Sequence, residues 1–253
     1  MTGAARGIGA ATVRRLARDG YAVLAVDWCA GPDARPYPMP DETDLKRVVA
    51  GLPDALAFKA DVRDRQALQD AVATALDRWG RLDAAVAGAG IITGGRPLWE
   101  TGDDELDLAW AVNACGVWNT AAATVPAMLA HTDPSGCRFV AVVSAAGTYG
   151  LFHLASYNAA KHGALGIVRG LAADLAGTGV SAVAVSPGST STPMLHATAD
   201  LYGGVPVQDL AARQLLQRPL EPDEVAATIA FCCSREGAAL NGSVVHADGG
   251  FRA

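Results

Sequence analysis

Charge is scarce in this chain. Asp, Glu, Lys and Arg make up 18% of its 253 residues, while apolar residues make up 51%. That balance excludes a disordered chain and a coiled coil. Basic charge is the scarcer sign: 20 Lys and Arg stand against 26 Asp and Glu, for a formal net charge of -6, and no basic stretch occurs. An electrostatic nucleic-acid binder is thereby excluded. No apolar run reaches the roughly 18 residues of a membrane span, so none is expected. Met1 runs into a Gly-rich segment instead of a basic, then apolar leader, so no secretion signal is expected. The five cysteines (Cys29, Cys115, Cys137, Cys232, Cys233) are odd in number, irregularly spaced and without a Cys-x-x-Cys pair. Neither a disulfide framework nor a zinc site is suggested, and reduced cytoplasmic thiols are expected. The five histidines are scattered with no His-x-x-x-His pair, so no metal site is expected.

Apolar β-rich runs alternate with Ala-rich helical stretches from end to end. Strands are predicted over Ala22–Val26, Leu56–Lys59, Ala84–Ala87, Phe139–Ser144, Val180–Val185 and Ser243–His246. Helices are predicted over Ile8–Asp19, Arg65–Trp79, Asp104–His131, Ala155–Ala176 and Asp223–Cys233. Strand and helix in repeated alternation mean a parallel sheet covered on both faces, a three-layer α/β/α arrangement. Such strands read as continuous apolar runs, as these do. No linker or second composition is seen, so residues 1–253 are read as one domain. Two segments interrupt the pattern. Cys29–Pro40 holds Pro32, Pro36, Pro38 and Pro40 and must be a loop, because proline at that density blocks helix and sheet. Long loops in compact domains are more often functional than idle. Gly188–Gln208, rich in Ser, Thr and Gly, is read as a lid over a site.

Thr2-Gly3-Ala4-Ala5-Arg6-Gly7-Ile8-Gly9 opens the first helix. Glycines there let the backbone approach a pyrophosphate, and free N–H groups at the helix start bind its charge. The following strand runs to Asp27, 18 residues after Gly9, close to the spacing of an acid that holds ribose hydroxyls. A Rossmann-type doubly wound fold with a dinucleotide site follows. A carboxylate accepts bonds from a ribose diol and repels a 2′-phosphate, so Asp27 favours NAD over NADP. Arg6 beside the turn is the counter-signal, as a phosphate contact or as a solvated surface residue. Asp61, followed by Val62, either accepts from the adenine amino group or caps the helix from Arg65. A doubly wound sheet also needs a strand before its glycine turn, and Gly3 leaves no room for one. Either the natural start lies upstream or the form is truncated. The missing strand is central, so its neighbours' edges are expected to be exposed and the sheet destabilised.

Tyr157 and Lys161 lie four residues apart on an Ala-rich helix, so both side chains share one face. A free phenol titrates near ~10, and a neighbouring cation lowers that value. Ser144, thirteen residues before Tyr157, ends a strand at the carboxyl edge, where ligands bind in such sheets.

With these residues the chain resembles the short-chain dehydrogenase/reductase family over essentially its full length. The matching pieces are Thr2–Gly9, Asp61-Val62, Ala87–Gly90, Asn113, Ser144, Tyr157 with Lys161, Pro187-Gly188 with Thr192–Met194, and Asp248–Gly250. The resemblance implies NAD-dependent hydride transfer between an alcohol and its carbonyl compound. It implies that Tyr157 is the general acid/base and that Ser144 places the substrate oxygen. Lys161 then lowers the Tyr157 pKa and binds the nicotinamide ribose, and Asn113 holds a water that relays protons through Lys161. Gly3, Arg6, Gly7, Ile8, Gly9, Asp27, Asp61, Val62, Gly88 and Gly90 are implied cofactor contacts, with Pro187, Gly188, Thr190 and Thr192 at the nicotinamide end. One departure stands out. The family often has Asn where this chain has Gly88, which puts local rigidity in doubt. The Pro-rich insertion, with Tyr37-Pro38-Met39-Pro40 ahead of an acidic helix start at Asp41–Asp44, is similar to the mycofactocin-linked subgroup. That similarity implies tightly held NAD recycled by an external redox carrier, with the insertion covering the adenosine end. A neutral loop insertion is the other reading.

The expected pocket wall is Leu151, Phe152, His153, Met194, Leu195, Leu201 and Tyr202, mostly apolar, which favours a hydrophobic secondary alcohol or ketone. Trp99 and Trp110 are read as core or interface residues. The resemblance implies a homotetramer, with a dimer next. Two competing readings are kept: a non-catalytic nucleotide-binding sensor of the same fold, and an inactive fragment lacking its first strand.

Overall fold

Alternating small and branched residues decide which way each strand faces. In the computed structural model, which describes residues 1–34 and 36–252, the chain runs α1 (Gly7–Arg18), β1 (Val23–Asp27), α2 (Glu42–Val49), β2 (Ala55–Lys59), α3 (Arg65–Trp79), β3 (Ala84–Ala87), α4 (Asp103–Asn113), α5 (Cys115–Leu129), β4 (Arg138–Val142), α6 (Ala155–Asp174), β5 (Ser181–Pro187), α7 (Pro193–Leu201), α8 (Pro222–Cys233) and β6 (Val244–Ala247). Short 3-10 helices punctuate the loops. Val140, Val142, Val183 and Val185 face a core made with α1, α2 and α8. Phe139, Ala141, Ala182 and Ala184 face the opposite core, made with α5 and α6. The alanines on that face let α5 and α6 lie close to the sheet. The result is the expected three-layer α/β/α arrangement with parallel strands.

The strands pair as two units, β1 with β2 and β3-β4-β5-β6. β1 and β3 are not paired with each other, which leaves a slot between them. Residues 1–4 occupy part of it: the Val26 amide donates to the Met1 carbonyl (2.8 Å), Thr2 N–H to the Val86 carbonyl (2.9 Å) and Ala4 N–H to the Val26 carbonyl (3.1 Å). The edges expected to be exposed are therefore bridged at the carboxyl ends of β1 and β3, next to the glycine turn.

Two predicted segments differ. The helix predicted over Asp104–His131 is two helices, divided at Ala114, where φ is -99° and ψ -59°. Neither Gly nor Pro marks that break. The segment after β5 contains α7, whose start carries the usual signals of an N-cap Thr192 followed by Pro193. Within the Pro-rich loop Cys29–Pro40, Arg35 lies outside the described residues. That loop returns to the fold through α2, whose first turn is fixed by reciprocal bonds between Asp41 and Asp44.

Arg138, at the start of β4, is 1% exposed. Its guanidinium donates to the carbonyls of Ser135, Cys137, Ser234 and Arg235 (2.8–3.1 Å). The Ser234 carbonyl caps the end of α8 and the Arg235 carbonyl follows it, so the buried charge holds the negative end of that helix against the sheet.

Candidate active site

The glycine turn is built by close approach. A Cβ on Gly9 would come within 1.9 Å of the Gly3 carbonyl oxygen, and Gly3 itself has a φ of +69° against the Gly88-Ala89 backbone. The N-cap of α1, Arg6, makes no side-chain cap, so the first N–H groups of α1 are open to an anion. The Asp27 carboxylate at the end of β1 accepts from Ala5 N–H (3.0 Å) and Cys29 N–H (3.2 Å), which holds it beside the turn.

The helix-cap reading of Asp61 falls away. Asp64 caps α3, accepting from Ala67 N–H (3.1 Å). Asp61 instead accepts from Arg63, whose Nε donates to its Oδ2 at 2.8 Å, and it raises the guanidinium pKa. Arg63 in turn lies 4.8 Å from the Trp28 ring. Trp28 and Arg63 both line the cavity, and no motif in the sequence pointed to either.

Ser144 follows β4 and starts a 3-10 turn, its Oγ accepting from Ala146 N–H (3.1 Å). Tyr157 lies in the first turns of α6, 6% exposed, with Lys161 4% exposed below it. Burial pushes the Tyr157 phenol up to about 12, while the Ser144 side chain beside it favours the ionised form. The Lys161 ammonium donates to the Val142 carbonyl (3.1 Å) and sits 5.7 Å from the Tyr157 ring centroid. Burial lowers its pKa to about 8. Desolvation thus outweighs the depression of the phenol that the sequence led us to expect.

One cavity of about 260 Å³ connects these groups. Every expected cofactor contact lines it: the glycine turn, Asp27, Asp61, Val62, Gly88, Gly90, Tyr157, Lys161, Pro187, Gly188, Thr190 and Thr192. Ser144 lines it as well. Asn113 sits behind this lining. Its amide accepts from Ile91 N–H (3.1 Å) and donates to the carbonyls of Ile91 (3.1 Å) and Ala109 (3.0 Å), clamping the loop after β3. A Cβ on Gly90 would lie 2.9 Å from Asn113 Oδ1 and 3.4 Å from Lys161 Nζ, so the two side chains share one wall of that glycine. Gly88 has a physical reason here: its Cβ would meet the Thr2 carbonyl oxygen at 2.9 Å.

The far wall is mostly as expected. Leu151, Met194 and Leu195 line the cavity, while Leu201 and Tyr202 pack around the cluster that holds Tyr157. Phe152 and His153 do not line it. His153 has a φ of +53°, and the two rings stack on each other (3.6 Å between centroids) with Phe152 69% exposed. Asn158 holds the loop from behind, bonding both N–H and carbonyl of Leu151 (3.2 and 2.8 Å). The lid is tied to it by the Tyr202 hydroxyl, which donates to the Phe152 carbonyl (2.5 Å). All five cysteines are free. Among the described residues there is no cluster of metal ligands, and no helix is long and apolar enough to cross a membrane.

The chain has clear relatives. Residues 3–252 match a family model described as enoyl-(acyl carrier protein) reductase. An NAD-dependent oxidoreductase of Mycobacterium tuberculosis, itself uncharacterised, is 32% identical, covering 99% of this chain and 94% of its own. Cis-4-hydroxycyclohexanecarboxylate dehydrogenase of Sinomonas cyclohexanicum is 35% identical, covering 100% of this chain and 95% of its own. The crystal structure of carveol dehydrogenase from Mycobacterium avium in complex with NAD superposes with a TM-score of 0.91 at 29% identity, covering 99% and 95% of the two chains. The chain belongs to the short-chain dehydrogenase/reductase family. It is an NAD-dependent oxidoreductase acting on CH–OH groups.

Proposed function

We propose that this single domain interconverts a hydrophobic secondary alcohol and its ketone, with Tyr157 as general acid/base. The observation that carries this reading is the shared cavity: Tyr157 and Ser144 open onto the same space as Asp27 and the glycine turn, with Leu151, Met194 and Leu195 beyond. The residues fit NAD. Glycine at positions 3 and 9 leaves room that a Cβ would fill, the α1 amides face the pyrophosphate position, and the Asp27 carboxylate suits a ribose diol. When bound, NAD accepts the hydride, and the positive charge of its oxidised ring favours the phenolate.

The chain's own groups do the rest. Tyr157 takes the hydroxyl proton of the alcohol on its phenolate oxygen. Ser144 holds the same substrate oxygen by a hydrogen bond. Lys161 binds the nicotinamide ribose and adds positive charge beside the phenol. Asn113 fixes the loop carrying Gly90 and Ile91, and a water held there passes the proton outward through Lys161. The apolar wall excludes water and selects against charged substrates.

The Pro-rich loop supports a second feature of the proposal: NAD that stays bound and is recycled by an external redox carrier, as in the mycofactocin-linked subgroup. Met39 and Pro40 line the cavity beside Asp27, and Arg6 ties the loop to the glycine turn. The free thiols suit a reducing cytoplasm. Acid release and mass spectrometry of the purified protein, with no nucleotide added, test this. Near-stoichiometric NAD or NADH after dialysis is the expected result. An empty protein that binds added NAD reversibly defeats the buried-cofactor feature and leaves an ordinary exchanging dehydrogenase.

Trp99, Trp110 and Trp118 are 82%, 44% and 56% exposed along α4, α5 and the turn before them. Large exposed aromatic groups of this kind mark an interface, and we assign them to a homotetramer. Light scattering is expected to give four times the 25.9 kDa chain mass. A stable monomer overturns the assignment.

A further inference from the structure

We infer that Tyr37, carried by the Pro-rich loop, is a wall of the substrate pocket and helps to decide which alcohols reach Tyr157. This rests on the dehydrogenase reading above and deepens it. The sequence placed the loop over the adenosine end alone. In the structure Tyr37 leaves that end and packs against the cluster of Ile92, Ala146, Leu154 and Tyr157. Its hydroxyl accepts from the Ile92 N–H at 3.4 Å, across 55 residues of sequence. The loop therefore crosses the mouth of the cleft, from the glycine turn to the segment after β3.

Three contacts keep it there. The Arg6 guanidinium donates to the Pro38 carbonyl (2.8 Å) and to Met39 Sδ (3.0 Å), and lies 5.4 Å from the Tyr37 ring centroid. Arg6 thus serves as the loop's anchor. Prolines on both sides of the tyrosine, at 36 and 38, limit the backbone freedom that must be lost to hold it in place. A large ring fixed in this way is a poor candidate for a passive surface residue.

The position of Tyr37 gives it a definite chemical effect. The cluster it joins is aliphatic apart from Tyr157, with Leu151, Met194, Leu201 and the aromatic Tyr202 packed around it. A rigid aromatic ring over such a pocket limits the height of the group bonded to the carbinol carbon. Compact or flat apolar alcohols fit beneath it, and branched or bulky ones are turned away. Removing the ring opens space directly above the reacting carbon.

The test is a panel of secondary alcohols graded in bulk, assayed with wild type, Tyr37→Phe and Tyr37→Ala in the presence of saturating NAD and a redox dye as external electron acceptor. The nucleotide content of each protein is measured separately by acid release. Tyr37→Phe keeps the ring and is expected to preserve the wild-type ranking. Tyr37→Ala is expected to shift the ratio of kcat/KM between bulky and compact alcohols by at least about tenfold toward the bulky ones, with most of the loss on compact alcohols appearing in KM. An active wild type whose ranking is unchanged in Tyr37→Ala overturns the inference. So does a variant that loses NAD yet ranks the alcohols as before, which makes Tyr37 a cofactor cover only. If Tyr37→Ala does not fold, Tyr37→Leu is read by the same criteria. A wild type that oxidises no member of the panel, while holding NAD, defeats the dehydrogenase reading itself.

Discussion

Tyr157→Phe is expected to lower turnover by about a thousandfold or more while leaving NAD binding within a fewfold of wild type. General acid–base groups contribute roughly 10²- to 10⁴-fold, and this phenol lines the cavity beside Ser144. The substitution removes one oxygen from a buried ring that keeps its packing against Ile92, Ala146 and Leu154. Fold and cofactor contacts should therefore survive, and a loss of activity reports the chemistry. The pH profile gives an independent reading. Oxidation needs the phenolate, so below the phenol's pKa the rate rises with pH, by up to about tenfold per unit. Burial pushes that pKa up to about 12 in the cofactor-free protein, and positive charge near the phenol moves it down. Wild type should show this rising limb, and Tyr157→Phe should lose it. Full activity in the variant sinks the assigned mechanism. Loss of NAD binding together with activity points instead to a binding role for the phenol. A wild type that binds NAD and oxidises nothing even with an external electron acceptor present revives the non-catalytic sensor.

The parts of this site that the sequence made legible are those whose chemistry is local. The glycine turn needs three glycines within a few residues of a helix start. Asp27 is marked by being the last residue of a strand at a fixed distance from them. Tyr157 and Lys161 are marked by one helical turn. Each of these signals lies within a short window, and each residue lines the cavity. What failed to show was long-range. Nothing local says that Tyr37 will reach Ile92 or that Trp28 will meet Arg63, because those contacts depend on how a proline-rich loop crosses the fold. The outward turn of Phe152 and His153 depends on a positive φ at a non-glycine residue, which composition does not reveal. The division at Ala114 was equally silent, since an alanine there fits either one helix or two. The helix α7 was different. Thr192-Pro193 carried a start signal that could have been read.

Lys161→Met is expected to make the cofactor-free protein more stable at neutral pH, at the same time as it abolishes turnover. Lys161 is 4% exposed, and among the described residues its ammonium is bonded to the Val142 carbonyl alone. No carboxylate offsets the loss of water around it, and burial lowers its pKa to about 8. An unfolded lysine titrates near ~10.4, and a tenfold difference in proton affinity between the two states corresponds to roughly 1.4 kcal/mol. Below pH 8 the side chain is charged in both states, and the folded state bears the whole cost of about 3 kcal/mol. The lost bond to Val142 returns about 1 kcal/mol of that, so the net gain is about 2 kcal/mol. The sign with pH follows from proton counts. Between the folded and unfolded pKa values the unfolded chain holds a proton that the folded chain lacks, so wild-type stability rises with pH through this window. The variant has no such dependence at this position. Its advantage should be largest at pH 7, shrink from about pH 8 upward, reach zero before the unfolded value and reverse there by the worth of the lost bond, when denaturant unfolding of the two nucleotide-free proteins is compared. An advantage constant across that range shows that Lys161 is not destabilised as a charge. A variant less stable at pH 7 shows that the ammonium is held by more than one carbonyl. The cost also bears on why a lysine belongs here: a buried, weakly bonded cation is a liability to the fold alone, and the proposed mechanism gives it a use beside the cofactor and the phenolate.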